Sequence, residues 1–235
     1  TRGILPSTEW KRNAYKRAAQ QKWYAGETIS LGIGQGYNNF TMLQLASATA
    51  TIVAGGKRFE PRLVREIEAA VKRTKSSPDA QALAPLPYDP EHVALIKRAL
   101  HGVTQEGTSV RSFANAPYKT GGKTGTAQAI GIKANEKYNA SKIDEYQRDH
   151  SLYMAFAPLD EPTMALAVVV ENAGFGSEAA APIARRVRTG TGKIVERPVG
   201  DPHDVGFDEL GALPRAVLGM LQRAFPFEHR PTVIA

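Results

Sequence analysis

A lysine and two threonines in one short segment, Lys123-Thr124-Gly125-Thr126, form the sharpest chemical pattern in the sequence. Alternate side chains of a strand share a face, so the hydroxyls of Thr124 and Thr126 can bind one carboxylate between them. Lys123 adds a positive charge, and Gly125 removes a side chain that would hold a bound peptide away. The backbone N–H of Thr126 is a candidate oxyanion donor. Taken alone, these four residues fit a threonine-rich strand with a solvated lysine equally well.

The elements around this segment predict an α+β fold. Apolar residues at helical spacing predict helices over 41–54, from 90 onward and over 178–187, whereas β-rich runs predict strands over 61–70, 151–157 and 163–171. The last two strands are separated by five residues and predict an antiparallel hairpin. The second of them is apolar on both faces, which predicts a central strand with a layer on each side. This order of elements favours α+β over a doubly wound parallel sheet.

Local residue types predict three further features of these elements. The helix from 90 onward is expected to start at an Asp89 cap and to give way to a polar loop at 102–112. Residues 133–150 are polar and predict an exposed excursion. The buried stripe of the helix from 90 is expected to consist of Val93, Ile96, Ala99, Leu100 and Val103.

The composition describes a folded, cysteine-free chain. Of 235 residues, 42% are hydrophobic and 23% are charged, which excludes wholesale disorder. The lack of cysteine excludes disulfides, a cysteine nucleophile and thiolate metal sites, and no two histidines have a metal-binding spacing. We therefore expect no metal and no other cofactor. No apolar run approaches the roughly 20 residues that span a bilayer.

The net charge of +7 is concentrated near the start of the chain. Residues 1–22 hold one acidic residue, Glu9, and six cations, with aromatic residues interleaved. One hypothesis from this cluster is a non-catalytic basic module that binds nucleic acid or an anionic surface. A solvated basic helix face with packed aromatics explains the same residues, and no known nucleic-acid motif is present. The cations are Arg2, Lys11, Arg12, Lys16, Arg17 and Lys22.

Longer segments carry a family resemblance. The chain resembles the C-terminal half of the transpeptidase domain of elongation-type class B penicillin-binding proteins. The resemblance covers residues 1–187 and implies the C-terminal portion of a serine β-lactamase-like fold, an antiparallel sheet flanked by helices. It stops at Val187, so residues 188–235 are expected to form an atypical tail outside the transpeptidase core. The segments are LPSTEW (5–10), ISLGIGQGYNNFTMLQLASA (29–48), APYKTGGKTGTAQAIGIKANEKYNASKIDEYQRDHSLYMAFAP (116–158) and VVVENAGFGSEAAAPIARRV (168–187).

The resemblance also implies roles for individual residues. The family uses three motifs: Ser-x-x-Lys with the nucleophile and its base, Ser-x-Asn, and Lys-Thr-Gly, which matches Lys123, Thr124 and Gly125. By resemblance, Lys123 tunes the site electrostatically, and Thr124 and Thr126 bind the terminal carboxylate of the substrate. Neither Ser-x-x-Lys nor Ser-x-Asn occurs in the sequence. The nucleophile is therefore expected before residue 1, and this chain alone is expected to be inactive.

The implied function is that of a peptidoglycan D,D-transpeptidase, which crosslinks stem peptides ending in D-Ala-D-Ala and whose serine is acylated by β-lactams. The resemblance further implies an upstream anchor in the bacterial inner membrane, with this part in the periplasm. The implied protein partners are a rod-shape glycosyltransferase and scaffold proteins, without nucleic acid. The Gly34-Gln35-Gly36 turn is expected to lie near the catalytic cleft. A β-lactam-hydrolysing or sensor relative of the same fold is the nearest alternative.

Overall fold

In the described part of the chain, four helices are followed by four short strands, two helices, three longer strands, one helix and two short strands. The computed structural model describes residues 3–64, 66–68, 73–130, 139 and 143–186, and the backbone of 222–223 and 232–234. The helices are α1 (Thr8–Ala14), α2 (Ala18–Gln21), α3 (Ala25–Gly32), α4 (Met42–Val53), α5 (Pro90–Gln105), α6 (Val110–Phe113) and α7 (Ala180–Arg186). The strands are β1 (Arg58–Phe59), β2 (Ile67–Glu68), β3 (Lys75–Ser76), β4 (Ala82–Leu83), β5 (Gly121–Ala127), β6 (His150–Ala157), β7 (Met164–Val170), β8 (Gln222–Arg223) and β9 (Thr232–Ile234).

The main sheet has the strand order β5-β6-β7-β9-β8. Its three long strands are antiparallel, and β6 and β7 form the predicted hairpin, with Ala157 opposite Met164 next to the turn. The short strand β9 pairs parallel to β7, and β8 pairs antiparallel to β9. Helices pack on this sheet, so the α+β class with an antiparallel sheet flanked by helices is confirmed.

Strand β7 is covered on both faces, as its continuous apolar run predicts. Leu166, Val168 and Val170 belong to a core cluster that includes α7. Ala165 and Ala167 belong to a second cluster that includes α4. Because side chains of a strand alternate between faces, these two clusters are the two layers that enclose the sheet.

The helix boundaries follow local capping signals. Thr41 caps α4 by accepting the N–H of Gln44, and the Gln44 side chain accepts the N–H of Thr41 in return. Asp89 caps α5 by accepting the N–H of Glu91 at 2.8 Å, with Pro90 in the first turn. Both starts were predicted from the sequence.

The strand predicted over 61–70 is wrong in extent. Among the described residues of this range, Ile67–Glu68 alone forms a strand, and its partner is the equally short Lys75–Ser76. Two apolar residues of the range, Leu63 and Ile67, are 73% and 55% exposed. No described apolar layer covers them, so residue preference alone does not extend the strand.

The predicted stripe and end of α5 are also corrected. Ile96 is 41% exposed and Ala99 is exposed, whereas Thr104 is buried. The helix continues to Gln105, into the predicted polar loop, and its last turns contact the start of β5, where His101 Nδ1 lies 2.8 Å and Thr104 Oγ1 3.2 Å from the Thr120 carbonyl oxygen. Here a long-range polar contact outweighs the apolar pattern.

Helix α7 begins at Ala180, two residues later than predicted. The N–H of Ala180 donates to Ser151 Oγ of β6 at 3.0 Å, and Ser151 donates to the carbonyl of Phe175 at 2.9 Å. The first turn of the helix is therefore capped from the neighbouring strand. This polar contact fixes the position of α7 on the sheet.

The predicted division at residue 187 stays a prediction. Residues 187–221, 224–231 and 235 lie outside the described residues, and β8 and β9 are the described part of the predicted tail. Half of the polar excursion at 133–150, residues 133–138 and 140–142, also lies outside them, and its described end contains a 3-10 turn, Glu145–Gln147. Within the described ranges, no helix has the length and apolar character needed to cross a membrane.

Candidate active site

Strand β5 carries the predicted site along an open edge of the main sheet. It is the first strand in the order, so within the described part of the chain only β6 pairs with it. The carbonyl of Thr124 accepts a hydrogen bond from Lys123 Nζ at 2.8 Å, and that of Thr126 accepts one from Gln35 Nε2 at 3.2 Å. The N–H and C=O of one residue in an antiparallel strand point the same way, so the Thr126 N–H also points to this edge. At this edge it can donate to an approaching oxyanion.

Lys123 brings an uncompensated positive charge to this edge. Its side chain is exposed, and no described acidic residue forms an ion pair with it. Lys123 lies opposite Met154 in β6, whereas Thr124 lies opposite Tyr153. The lysine and the threonine therefore leave the strand on opposite faces, and the ammonium group bends back to the edge. A free cation beside outward-pointing N–H groups favours an anionic ligand.

Thr124 and Thr126 share one face of β5, as the period-two rule predicts. They lie opposite Tyr153 and Ser151, and both are partly exposed. The hydroxyl of Thr124 lies 2.9 Å from that of Thr108, in the loop between α5 and α6. Thr108 could not be predicted from the sequence, because no local pattern connects positions 16 residues apart in this way.

The core beneath Thr124 is built on a buried tyrosine. Tyr153 is fully buried, stacks on Phe113 and lies 2.9 Å from Ser109 Oγ through its hydroxyl. Ser109 already donates its single hydroxyl hydrogen to the Val103 carbonyl, so Tyr153 must donate in this pair. Burial raises the pKa of Tyr153 to about 12, which keeps it protonated at neutral pH.

The segment before α7 packs directly on the backbone of the site. A Cβ on Gly176 would lie 2.2 Å from the carbonyl oxygen of Leu152 and 2.6 Å from that of Gly125. Only glycine allows this approach. The contact braces β5 from the α7 side, at the residue between the two site threonines.

The basic N-terminal segment is partly internal. Lys11 is 2% exposed, and its Nζ donates to the Glu27 carboxylate and to the Lys22 carbonyl. The hydrogen bond from Lys11, followed by that from the Tyr24 backbone, holds the pKa of Glu27 below its usual value. One cation of the proposed nucleic-acid surface is thus a core residue. The rings around its ammonium group, at 5.1 to 5.9 Å, are those of Trp23, Tyr24 and Tyr37.

Two of the described histidines make structural contacts. His101 Nδ1 lies 2.8 Å from the Thr120 carbonyl, and His150 Nδ1 accepts the N–H of Asn172 at 3.0 Å. Among the described residues, no group of three or more histidine or acidic side chains is arranged to hold a metal ion.

Most of the chain is similar to a known family and to known proteins. The family model of the penicillin-binding protein transpeptidase domain matches residues 11–188. Peptidoglycan D,D-transpeptidase MrdA of Haemophilus influenzae is 42% identical over 191 residues, which is 80% of this chain and 28% of that protein. MrdA of Escherichia coli K12 is 40% identical over 179 residues, which is 74% of this chain and 27% of that protein. The chain thus spans less than a third of the length of these relatives.

Solved structures agree with this assignment. Pseudomonas aeruginosa PBP2, in complex with WCK 5153, matches with a TM-score of 0.57 and 33% identity, over 78% of this chain and 36% of that chain. Penicillin-binding protein A of Mycobacterium tuberculosis, an imipenem acyl-enzyme complex, matches with a TM-score of 0.51 and 27% identity, over 66% of this chain and 32% of that chain. The chain therefore belongs to the penicillin-binding protein transpeptidase family and forms part of a class B transpeptidase domain similar to those of PBP2 and MrdA.

Proposed function

We propose that this chain supplies the substrate-binding edge of a peptidoglycan D,D-transpeptidase. The observation that carries the proposal is the open edge of β5, where the Thr126 N–H, two threonine hydroxyls and the Lys123 ammonium group are available together. The match to D,D-transpeptidases over most of the chain supports the reaction class.

The reaction requires a nucleophile that this sequence does not contain. We infer that a Ser-x-x-Lys serine and a Ser-x-Asn motif come from the part of the relatives' domain that this chain does not span. The serine oxygen attacks the carbonyl of the bond between the two D-Ala residues, and the terminal D-Ala leaves with a proton. An amine of a second stem peptide then attacks the acyl-enzyme and releases the serine, which completes the crosslink. β-Lactams acylate the same serine and stop at that stage.

Residues of this chain stabilise the negative charges of the substrate and of the reaction intermediates. The Thr126 N–H donates to the oxyanion of each tetrahedral intermediate, an interaction that strengthens as negative charge develops. Lys123 tunes the site by its charge, and the hydroxyls of Thr124 and Thr126 bind the terminal carboxylate of the substrate. Gly125 leaves room for the substrate backbone along β5.

The setting of the complete protein follows from the same proposal. We infer an anchor in the bacterial inner membrane outside this chain, the transpeptidase part in the periplasm, and peptidoglycan stem peptides as substrates. The proposed protein partners are a rod-shape glycosyltransferase and scaffold proteins. A protein of the same fold, PBP2 of Helicobacter pylori, has been solved in complex with MreC.

Labelling with a fluorescent penicillin tests this function. We expect the complete transpeptidase that contains this sequence to form one stable adduct, on a serine outside residues 1–235, and to release D-Ala while crosslinking stem peptides. The isolated chain should remain unlabelled. An adduct mapped within residues 1–235, or a complete protein that is never acylated, would refute the assignment. Rapid loss of the adduct would instead indicate a β-lactam-hydrolysing relative.

A further inference from the structure

A second hydroxyl faces the site from outside β5. Thr108 Oγ1 lies 2.9 Å from Thr124 Oγ1, within hydrogen-bond distance, and Thr108 is exposed beside the open edge of the strand. The three-motif pattern of the family gives Thr108 no role.

We propose that Thr108 is a positioning residue for carboxylate recognition, because its hydroxyl fixes the hydroxyl of Thr124. The inference rests on the proposed function, since it assumes that Thr124 binds the terminal carboxylate of the substrate. It adds a residue that determines how strongly this carboxylate is preferred.

The chemistry of the pair follows from counting hydrogens. Two hydroxyls carry two hydrogens, and one of them is used between Thr108 and Thr124. The other remains for the ligand, whichever residue donates within the pair. A lone threonine hydroxyl rotates among several acceptors, including water, whereas a paired one is restricted in direction. The pair therefore presents one oriented O–H donor. A hydrogen bond from this donor to a carboxylate is stronger than one to a neutral acceptor, because the acceptor is charged.

The loop that carries Thr108 is anchored by its neighbour. Ser109 is fully buried, its N–H and its hydroxyl both donate to the Val103 carbonyl, at 3.1 and 3.0 Å, and its oxygen accepts the Tyr153 hydroxyl. Tyr153 lies directly opposite Thr124 in the register of β5 and β6. A closed path of contacts therefore links the loop to the strand. Ser109, next to Thr108 in the chain, is hydrogen-bonded to Tyr153. Tyr153 lies opposite Thr124, which contacts Thr108. The position of the Thr108 hydroxyl is set by the sheet and not by an unrestrained loop.

A glycine allows this path to close. A Cβ on Gly122 would lie 2.4 Å from the Tyr153 hydroxyl oxygen, so any side chain there would clash with that hydroxyl beneath β5. The glycine that precedes Lys123 in the motif therefore has a structural function in holding Thr108 at the site.

The test compares ligands with and without a carboxylate on the complete transpeptidase. The variants are Thr108→Val, which keeps the shape, and Thr108→Ser, which keeps the hydroxyl, with the exposed Thr163→Val as the matched control. The probes are one β-lactam with its free carboxylate and the same compound as its methyl ester. For Thr108→Val we expect acylation efficiency with the free acid to fall about tenfold, in the binding constant more than in the acylation rate constant. Rates with the ester should change by less than twofold, and Thr108→Ser should restore the free-acid rate.

Three outcomes would overturn the inference. One is a Thr108→Val variant that acylates like the unmodified protein with both probes. Another is an equal loss with acid and ester, which indicates a purely structural role of the loop. The third is a Thr108→Ser variant that fails to recover. An unmodified protein that is not acylated at all refutes the proposed function itself, so the two failures are distinguishable.

Discussion

The side-chain amide of Gln35 donates to the carbonyl oxygen of Thr126 at 3.2 Å and joins two segments 91 positions apart in the sequence. The backbone of Gln35 is held in turn. Its N–H donates to the Ser30 carbonyl at 2.9 Å, and its carbonyl accepts a hydrogen bond from the side-chain amide of Asn38 at 3.1 Å. The turn after α3 is therefore attached to the end of the site strand. This contact agrees with the expectation that the Gly-Gln-Gly turn lies near the site.

Loss of the Gln35 amide should weaken the site without unfolding the protein. We expect Gln35→Ala to lower the acylation rate of the complete transpeptidase by roughly two- to tenfold, since one hydrogen bond contributes about 0.5–1.5 kcal/mol. Gln35→Glu should be slower still, because a carboxylate would face the Thr126 carbonyl. The exposed Gln81→Ala serves as the control, measured by the rate of fluorescent-penicillin labelling. Rates that match between Gln35→Ala and Gln81→Ala would contradict a role for this contact.

The positive charge of Lys123 should matter far more for acylation than for folding. Lys123→Ala is expected to slow acylation by roughly two to three powers of ten, if it removes about 3–4 kcal/mol of preorganised electrostatic stabilisation. Thr126→Val should cost less, because the backbone N–H remains. Urea unfolding should barely change, since the side chain is exposed. The exposed Lys119→Ala, close to the site in sequence, is the control for general charge effects. Wild-type acylation rates in both Lys123→Ala and Thr126→Val would show that these residues have no role in acylation.

Removal of the buried Lys11 ammonium group should destabilise the fold. Lys11→Met leaves the Glu27 carboxylate without its cation, so the midpoint of urea unfolding should fall several times further than in the exposed Lys16→Ala. Combining Lys11→Met with Glu27→Gln should recover part of the loss. Similar midpoints for Lys11→Met and Lys16→Ala would show that the pair contributes nothing.

The same pair predicts a dependence on acidic pH. The pKa of Glu27 is lower in the folded state than its ordinary value of 4.5, so the folded protein binds this proton less readily than the unfolded chain. The stabilisation is complete above that ordinary value and is lost as the pH falls through the lower, folded pKa. Unfolding titrations between neutral and acidic pH should show a smaller decline in Lys11→Met than in the wild type. An unchanged slope would argue against the Lys11 hydrogen bond as the cause.

Alkaline pH should destabilise the protein through its buried tyrosines. The pKa of Tyr153 is about 12 in the fold against 10.0 ordinarily, so above pH 10 the unfolded chain loses a proton that the folded state keeps. The free energy of unfolding should therefore fall as the pH rises from 10 to 12, with roughly 2 kcal/mol from Tyr153 by pH 12. Burial likewise raises the pKa of Tyr37 to about 12, so the decline should be reduced but not abolished in Tyr153→Phe. Denaturant titrations at several alkaline pH values measure this decline. If the free energy of unfolding falls equally steeply with pH in Tyr153→Phe and in the wild type, Tyr153 is not its cause.

Local sequence patterns were sufficient for the central strand and for the helix starts. The continuous apolar run of Met164–Val170 predicted a strand covered on both faces, and the five-residue gap before it predicted the hairpin with β6. The apolar periodicity of 41–54 and the Asp89 cap predicted the starts of α4 and α5. These signals succeed because periodicity and capping depend on residues within a few positions of one another.

The same local rules failed where no neighbour was available or where a distant one intervened. The strand predicted over 61–70 has no apolar layer over it among the described residues, and its Leu63 and Ile67 stay exposed. The length of α5 and the start of α7 depend on bonds to Thr120 and Ser151, which lie in other parts of the chain. Residue preferences are weak compared with such tertiary contacts.

For the site, local pattern was enough to predict that Thr124 and Thr126 of the Lys123–Thr126 strand share one face. The strand order that leaves its edge open, and the contacts of Thr108 and Gln35 with it, are visible only in the folded structure. Side-chain direction follows from the alternation of a single strand, whereas an edge exists only relative to the other strands of a sheet. Hydroxyl and amide groups from distant loops reach the strand only after the core around Tyr153 has fixed those loops in place.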